Sequence, residues 1–185
     1  MAKLIFAMTQ SLDGYVAAVD GALEPPLHPG GVELFRHFIS FESSLVGVLY
    51  GRRIYELMRY WDEDRPEWNP LERDFARVWR AHPKWVVSRS LKSVGPNATL
   101  VDRDVEAFVR GLKSEINGDI AVAGPELAGS LTKAGLIDEY QLYFRPVVLG
   151  AGKPYFSGAG PALRLVDSDR VGEDALRLTY ERIKV

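Results

Sequence analysis

Three junctions in the chain carry residue types that suit a charged ligand. They are Gly51-Arg52-Arg53, Ser88-Arg89-Ser90 and Ala123-Gly124-Pro125-Glu126-Leu127. An arginine guanidinium pairs with a phosphate through two parallel hydrogen bonds, and the free N–H groups at the start of a helix favour an anion. A Gly-Pro step suits the start of a helix, because Pro lacks an N–H that would have no partner there. The junctions therefore predict a site for a phosphate-bearing ligand.

The hydrophobic pattern predicts that the three junctions share one edge of a sheet. Apolar runs too short for helices precede them, over Leu45–Tyr50, Lys84–Ser88 and Ile120–Ala123. Helical spacing follows two of these runs, over Arg52–Arg59 and Pro125–Gly135, and the final Gly suits a C-terminal cap. Parallel strands place their carboxyl ends along one edge, and ligands of open α/β sheets bind at that edge.

The remaining pattern predicts the rest of a single α/β domain over residues 1–185. Further strands are predicted over Lys3–Met8, Tyr15–Ala17, Thr99–Val101, Glu139–Phe144, Val147–Leu149, Leu163–Val171 and Ala175–Ile183, and further helices over Val32–Phe41, Leu71–Trp79 and Val105–Ile116. Asp104 is expected to cap the last of these helices. Segments 20–31 and 60–70 are expected to be loops, and Gly172-Glu173-Asp174 to turn the final hairpin. This order predicts a three-layer α/β/α fold with a mostly parallel central sheet, extended by a C-terminal antiparallel hairpin.

Composition excludes several classes of function. The chain is 46% hydrophobic and 26% charged, with net charge −2 and no basic block, so nucleic acid is not an expected partner. No apolar run approaches the length of a membrane span, and the amino-terminal segment is typical of a first strand in a cytoplasmic protein. The chain has no Cys, and His28, His37 and His82 lack metal-ligand spacing and are predicted to lie at the surface or in loops. No metal is expected.

Five motifs, taken in order, resemble the dihydrofolate reductase superfamily. They are Ser11-Leu12-Asp13-Gly14-Tyr15, Gly51-Arg52-Arg53-Ile54-Tyr55-Glu56, Val87-Ser88-Arg89-Ser90, Val122-Ala123-Gly124-Pro125-Glu126-Leu127 and Pro146-Val147-Val148-Leu149-Gly150-Ala151-Gly152-Lys153. They most resemble the reductase domain at the C-terminal end of bifunctional riboflavin-biosynthesis deaminase-reductases and its stand-alone relatives. The resemblance covers nearly the whole chain.

The resemblance implies that NADPH lies across the carboxyl ends of the sheet. The cofactor phosphates would be contacted by Gly51, Arg52 and Arg53, the adenosine 2′-phosphate by Ser88 and Arg89, and the pyrophosphate by Ala123, Gly124 and the helix start Pro125, Glu126 and Leu127. Two positions depart from the family pattern: Ala123 replaces the first Gly of a Gly-Gly bond that is often cis, and Ile54 replaces a Thr.

Two acidic residues are the candidates for the catalytic role. Asp13 matches an acidic position of the riboflavin-type reductases and could orient the substrate or donate through water, although Asp-Gly is also a common turn pair. Glu33 lies roughly where folate reductases keep a proton-relaying carboxylate, but a Glu in a first helical turn also suits the helix dipole. Trp61 either forms one wall of a pocket for a planar heterocycle or packs its own loop against the protein. Lys153 faces a substrate anion or is a solvated loop residue.

The sequence therefore predicts an NADPH-dependent reductase of a small heterocycle. The resemblance suggests a pteridine or a ribosylaminopyrimidine such as 5-amino-6-(5-phosphoribosylamino)uracil. The alternatives are a true dihydrofolate reductase, a non-catalytic NADPH-binding module, and a domain that has lost cofactor binding. The zinc ligands of a partner deaminase domain are absent, because the chain has no Cys. A homodimer is a family-level expectation.

Overall fold

The computed structural model describes residues 1–20, 31–158 and 160–183. The predicted loop 20–31 therefore lies almost wholly outside the described residues, as does His28. The strands are β1 Lys3–Gln10, β2 Tyr15–Ala17, β3 Gly47–Gly51, β4 Lys84–Val87, β5 Ala98–Val101, β6 Asp119–Ala123, β7 Glu139–Phe144, β8 Lys153–Pro154, β9 Leu163–Val171 and β10 Ala175–Arg182. The helices are α1 Gly31–Ser44, α2 Arg52–Met58, α3 Pro70–Ala81, α4 Val105–Glu115 and α5 Pro125–Lys133, with a 3-10 turn at Arg59–Trp61.

The main sheet has the strand order β5-β4-β3-β6-β1-β7-β10-β9. The first six strands in that order are mutually parallel, and β10 pairs antiparallel with both β7 and β9. In the centre, Phe6 of β1 lies opposite Val122 of β6 and Tyr140 of β7. The predicted parallel sheet with its C-terminal hairpin is confirmed. Consequently β3, β4 and β6 all end at one edge, which we call the carboxyl edge.

Alternate residues of the central strands enter two separate cores, which makes the domain three layers thick. Leu49 and Val122 pack on one face with side chains of α4 and α5. Val48, Tyr50 and Ala121 pack on the other face with side chains of α1, α2 and α3. Successive side chains of a strand point to opposite faces, so continuous apolar runs are required where helices cover both sides.

Two local predictions are wrong. Val147–Leu149 is not a strand, because its backbone groups bond to Leu12 and to the Asp13 carboxylate instead of a strand ladder. Asp104 precedes α4 but does not cap it, since its left-handed backbone (φ 48°, ψ 39°) replaces the extended conformation of a capping residue. The side-chain cap is found instead at Asn69, which forms a reciprocal capping box with Glu72 at the start of α3.

One other local prediction is confirmed, and the structure favours one of the two alternatives given for Trp61. Gly135 ends α5 in the left-handed region (φ 70°), and the N–H groups of Gly135 and Leu136 donate to the carbonyls of Thr132 and Leu131. These two bonds form a Schellman motif. Trp61 packs its loop down, because its ring lies 5.0 Å from Phe75 and 5.1 Å from Trp68, measured between ring centroids.

A buried charged cluster lies at the opposite edge, where β4 begins. Lys84 is 2% exposed, donates to the His82 carbonyl at 2.9 Å and lies 4.3 Å from the centre of the Trp79 ring. Glu42 Oε2 and His82 Nδ1 are 3.7 Å apart, and neither atom has a hydrogen-bond partner within the described ranges. Burial raises the pKa of Glu42 to about 7 and lowers the pKa of Lys84 to about 8. His82 lies in the loop between α3 and β4, as predicted, but its side chain is only 12% exposed.

The Glu42→Gln variant should lose part of the pH dependence of stability. The folded state holds the Glu42 proton more tightly than the unfolded chain, so the free energy of unfolding falls as pH rises from the ordinary value of 4.5 to about 7. The full effect is on the order of 3 kcal/mol. Urea denaturation at about pH 5 and pH 7.5 measures it. A Glu115→Gln control should keep the wild-type difference, and an unchanged difference in Glu42→Gln would refute the assignment.

Candidate functional site

The carboxyl ends of β3 and β6 approach each other closely at two glycines. A Cβ added to Gly124 would lie 3.7 Å from the Cα and N of Gly51, and a Cβ added to Gly51 would lie 3.5 Å from the Ala123 carbonyl oxygen. Gly124 also has φ +113°, a conformation that L side chains rarely adopt. The starts of α2 and α5 therefore lie side by side, with the Ile54 and Leu127 side chains within van der Waals range of the two glycines.

Direct side-chain contacts join the three predicted junctions. The Arg52 guanidinium donates to Ser90 Oγ at 2.8 Å, which links the end of β3 to the end of β4. An Arg53 nitrogen lies 3.8 Å from Glu126 Oε1, which links the end of β3 to the start of α5. Because Arg53 and Glu126 are each 73% exposed, solvent weakens this pair, and an incoming anion can displace the carboxylate.

A groove of about 510 Å³ opens beside these contacts, between the ends of β4 and β5 and the start of α4. Its polar lining is formed by Arg52, Ser88, Arg89, Ser90, Asp102, Arg103 and Asp104. Ser88 is buried, and its Oγ accepts the N–H groups of Ser90 and Leu91 at 3.2 and 3.1 Å, so it shapes the turn after β4. Arg89 is exposed and makes no hydrogen bond or ion pair with any described residue. We call this feature the arginine groove.

The predicted residues at the start of α5 can act mainly through their backbone. Pro125 is buried, and Leu127 packs against the core, so neither side chain is free to meet a ligand. Ala123 is partly buried, with its carbonyl oxygen near Gly51. The Ala123–Gly124 peptide bond is trans. No side chain caps α5, and this leaves its first N–H groups to solvent or a ligand.

The two acidic candidates lie farther along the same edge. Asp13 follows β1, and its two carboxylate oxygens accept the N–H groups of Leu149 and Gly150 at 3.1 and 2.7 Å. The hydrogen bond from Ser11, together with these backbone bonds, lowers the pKa of Asp13 below its ordinary value. Glu33 is exposed in the first turn of α1 and lies against Gly172, in the turn between β9 and β10.

Sequence reasoning missed part of the lining of the arginine groove. Asp102, Arg103 and Asp104 follow β5, just as Ser88-Arg89-Ser90 follows β4. The same rule for strand ends applied to this short strand would have found them. The Lys153 Nζ lies 3.1 Å from Glu126 Oε1, so Lys153 and Arg53 share one carboxylate oxygen. Lys153 is therefore paired at the carboxyl edge, which the pattern around it does not predict.

Comparison with known families decides the assignment. The model of the RibD C-terminal domain family matches residues 2–177. The chain belongs to this family. Two uncharacterised proteins of Bacillus subtilis (strain 168) are similar over almost their full lengths: YyaP is 27% identical over 96% of this chain and 94% of its own, and YwjB is 28% identical over 97% and 98%.

Solved structures show the same fold. A Shewanella sp. PV-4 protein, described as a candidate riboflavin biosynthesis protein, matches with TM-score 0.73 and 22% identity over all of both chains. A Thermotoga maritima diaminohydroxyphosphoribosylaminopyrimidine deaminase/5-amino-6-(5-phosphoribosylamino)uracil reductase matches with TM-score 0.69 and 14% identity. That match covers 98% of this chain and 57% of the Thermotoga chain. The predicted dihydrofolate-reductase-like fold is confirmed, as is the resemblance to riboflavin-type reductase domains.

Two kinds of feature are absent from the part of the chain that the structure describes. None of its helices combines the length and the apolar character needed to cross a membrane. No three of its His, Asp or Glu side chains are grouped so that they could hold a metal ion.

The Gly124→Ala variant should be destabilised by about 1–3 kcal/mol, because φ +113° strains any residue with a Cβ. Gly111→Ala is the matched control: it lies inside α4 with open space around its Cβ position, so it should gain about 0.5–1 kcal/mol. Thermal denaturation of both variants measures the difference. Equal stability of the two variants would contradict the strained backbone conformation at Gly124.

Proposed function

We propose that this protein is an NADPH-dependent reductase of a small heterocyclic substrate. The observation that carries the proposal is that the Arg52–Ser90 and Arg53–Glu126 contacts bring the three junctions predicted to bind phosphate together at one edge of the sheet. A dinucleotide has phosphates at separated positions, so it suits several junctions better than a single phosphate does. Membership of the RibD C-terminal domain family supports the same reading.

The residues present fit the parts of NADPH. Arg89, which has no described partner, would bind the adenosine 2′-phosphate in the arginine groove, and Ser88 would hold the turn that presents Arg89. The backbone at Gly51 and Gly124, with the uncapped start of α5, would receive the pyrophosphate. Arg52 and Arg53 would neutralise its charge. When bound, the cofactor supplies the hydride.

The substrate would lie on the β1 and β7 side of the carboxyl edge, within reach of the two acidic candidates. Glu33 is exposed beside the β9–β10 turn, and we propose that it relays the proton. Asp13 is held ionised by its hydrogen bonds, which suits holding or orienting a group better than donating a proton. The substrate class is taken from the Thermotoga protein, which is named as a 5-amino-6-(5-phosphoribosylamino)uracil reductase. A pteridine is the second class.

The expected homodimer and cytoplasmic location stay predictions. The edge strand β9 would suit a second copy, because one side of its backbone has no partner strand in the described sheet. Leu165 and Val166 on this strand are 51% and 42% exposed.

Titration with NADPH and NADH, followed by nicotinamide fluorescence, tests the proposal. The wild type should bind NADPH in the micromolar range and NADH much more weakly. Arg89→Ala should weaken NADPH binding by roughly 10- to 100-fold, because it removes a charge-assisted bond to the 2′-phosphate, and should leave NADH binding unchanged. Purified protein should then oxidise NADPH in the presence of the aminouracil or a pterin.

The Arg77→Ala variant is the matched control, because Arg77 is equally a surface arginine but lies on α3 with Asp74 as its partner. It should bind both cofactors as the wild type does. Failure of the wild type to bind either cofactor would refute the reductase function and leave the fold standing.

A further inference from the structure

Two distant segments are paired along the carboxyl edge, residues 10–17 and 145–155, which together we call the edge flap. Backbone bonds join Arg145 N–H to the Gln10 carbonyl and Leu12 N–H to the Val147 carbonyl, both at 2.8 Å. Farther along, β2 pairs antiparallel with β8, and Tyr155 N–H donates to the Gly14 carbonyl at 3.0 Å. The segment after β7 is therefore held against the segment after β1 at both of its ends.

Asp13 joins the two segments of the edge flap midway between their ends. Its carboxylate accepts two consecutive N–H groups, those of Leu149 and Gly150, where the backbone pairing on either side is interrupted. Both of its oxygens accept hydrogen bonds, and the bond from Ser11 together with these two lowers the pKa of Asp13 below its ordinary value, so they oppose its protonation. A proton donor needs the opposite properties: a protonated oxygen and access to the substrate.

The edge flap also determines where Lys153 lies. Gly152 passes so close to β2 that a Cβ on it would be 2.2 Å from the Ala17 carbonyl oxygen, and Lys153 then pairs with Ala17. From this position its Nζ reaches Glu126 at the start of α5. Lys153 is 27% exposed whereas Glu126 is 73% exposed, so the lysine is the more firmly placed of the two.

We propose that Asp13 is a positioning residue that acts through Lys153. Its carboxylate holds the loop before β8 so that Lys153 stands beside Arg53 at the start of α5. There the two cations bind a cofactor phosphate in exchange for the Glu126 carboxylate. This role rests on the proposed function, because it names residues of the same cofactor site. Asp13 thereby contributes to cofactor binding and takes no part in proton transfer.

A double-mutant cycle on cofactor affinity tests the proposal. Asp13→Asn keeps the shape of the side chain and loses one acceptor oxygen, and Lys153→Met keeps the aliphatic stem and loses the charge. Each should raise the Kd for NADPH by about three- to tenfold. The double variant should be no weaker than the weaker single variant, because both remove the same interaction. The KM for NADPH should rise in Asp13→Asn with kcat within about twofold of wild type and an unchanged pH profile.

Lys133→Met is the control, because it removes one positive charge from the far end of α5, and it should bind NADPH as the wild type does. Additive effects in the cycle would overturn the proposal. So would a loss of kcat in Asp13→Asn with NADPH affinity unchanged, since that result assigns Asp13 to the chemistry.

Hydrogen exchange separates this proposal from the proposed function, because it needs no ligand. In Asp13→Asn the amides of Leu149 and Gly150 should exchange about tenfold faster, while the amide of Phe6 in β1 stays protected and shows that the variant is folded. Unchanged exchange at both amides would overturn the proposal. If the wild type binds no NADPH, the affinities of the same four proteins are measured for inorganic pyrophosphate instead. A non-additive loss of pyrophosphate binding would then support the role of Asp13 although the reductase function fails. No binding of pyrophosphate overturns both.

Discussion

The candidate site depends on the close backbone approach between the ends of β3 and β6. A Cβ at Gly51 or Gly124 would already be in van der Waals contact with the other strand end, and only Gly accepts the backbone conformation of residue 124 (φ +113°) at the start of α5 without strain. The approach follows from the parallel pairing of the two strands, because that pairing brings both carboxyl ends to one edge. Arg52, Arg53 and Glu126 are then carried on the two helices that begin there.

Charged residues are exposed at the carboxyl edge of the sheet and buried at the opposite edge. At the carboxyl edge, the Arg53–Glu126 pair is exposed and therefore weak, and Arg89 is exposed without a partner among the described residues, so these groups are available to a ligand. At the other edge, Glu42 and Lys84 are buried, and burial shifts the pKa of each towards neutrality. Buried charges reduce stability unless they are fully paired, so this cluster belongs to the fold and its pH dependence. The charged residues of the carboxyl edge are therefore the ones available to bind a ligand.

Much of this arrangement could be predicted from sequence, because it rests on local signals. Apolar runs fix the buried strands, Gly135 marks the end of α5, and Gly or Arg at strand ends marks the carboxyl edge. The errors arise where distant residues decide the outcome. Val147–Leu149 has the composition of a strand, but Asp13, more than a hundred residues away, accepts the N–H groups of Leu149 and the adjoining Gly150. His82 lies in a loop as predicted, but its partial burial beside Glu42 depends on tertiary packing that no local pattern records.

The most direct test of the central claim is to map the cofactor onto the protein by NMR. Amide chemical shifts of the 15N-labelled chain would be followed during titration with NADPH. The largest changes should fall at Gly51, at Gly124 and Glu126, and at Arg89 and Ser90, because these amides border the two phosphate positions. Amides beside Lys84 at the opposite edge should not move. Changes concentrated away from the carboxyl edge, or no changes at saturating NADPH, would contradict the account.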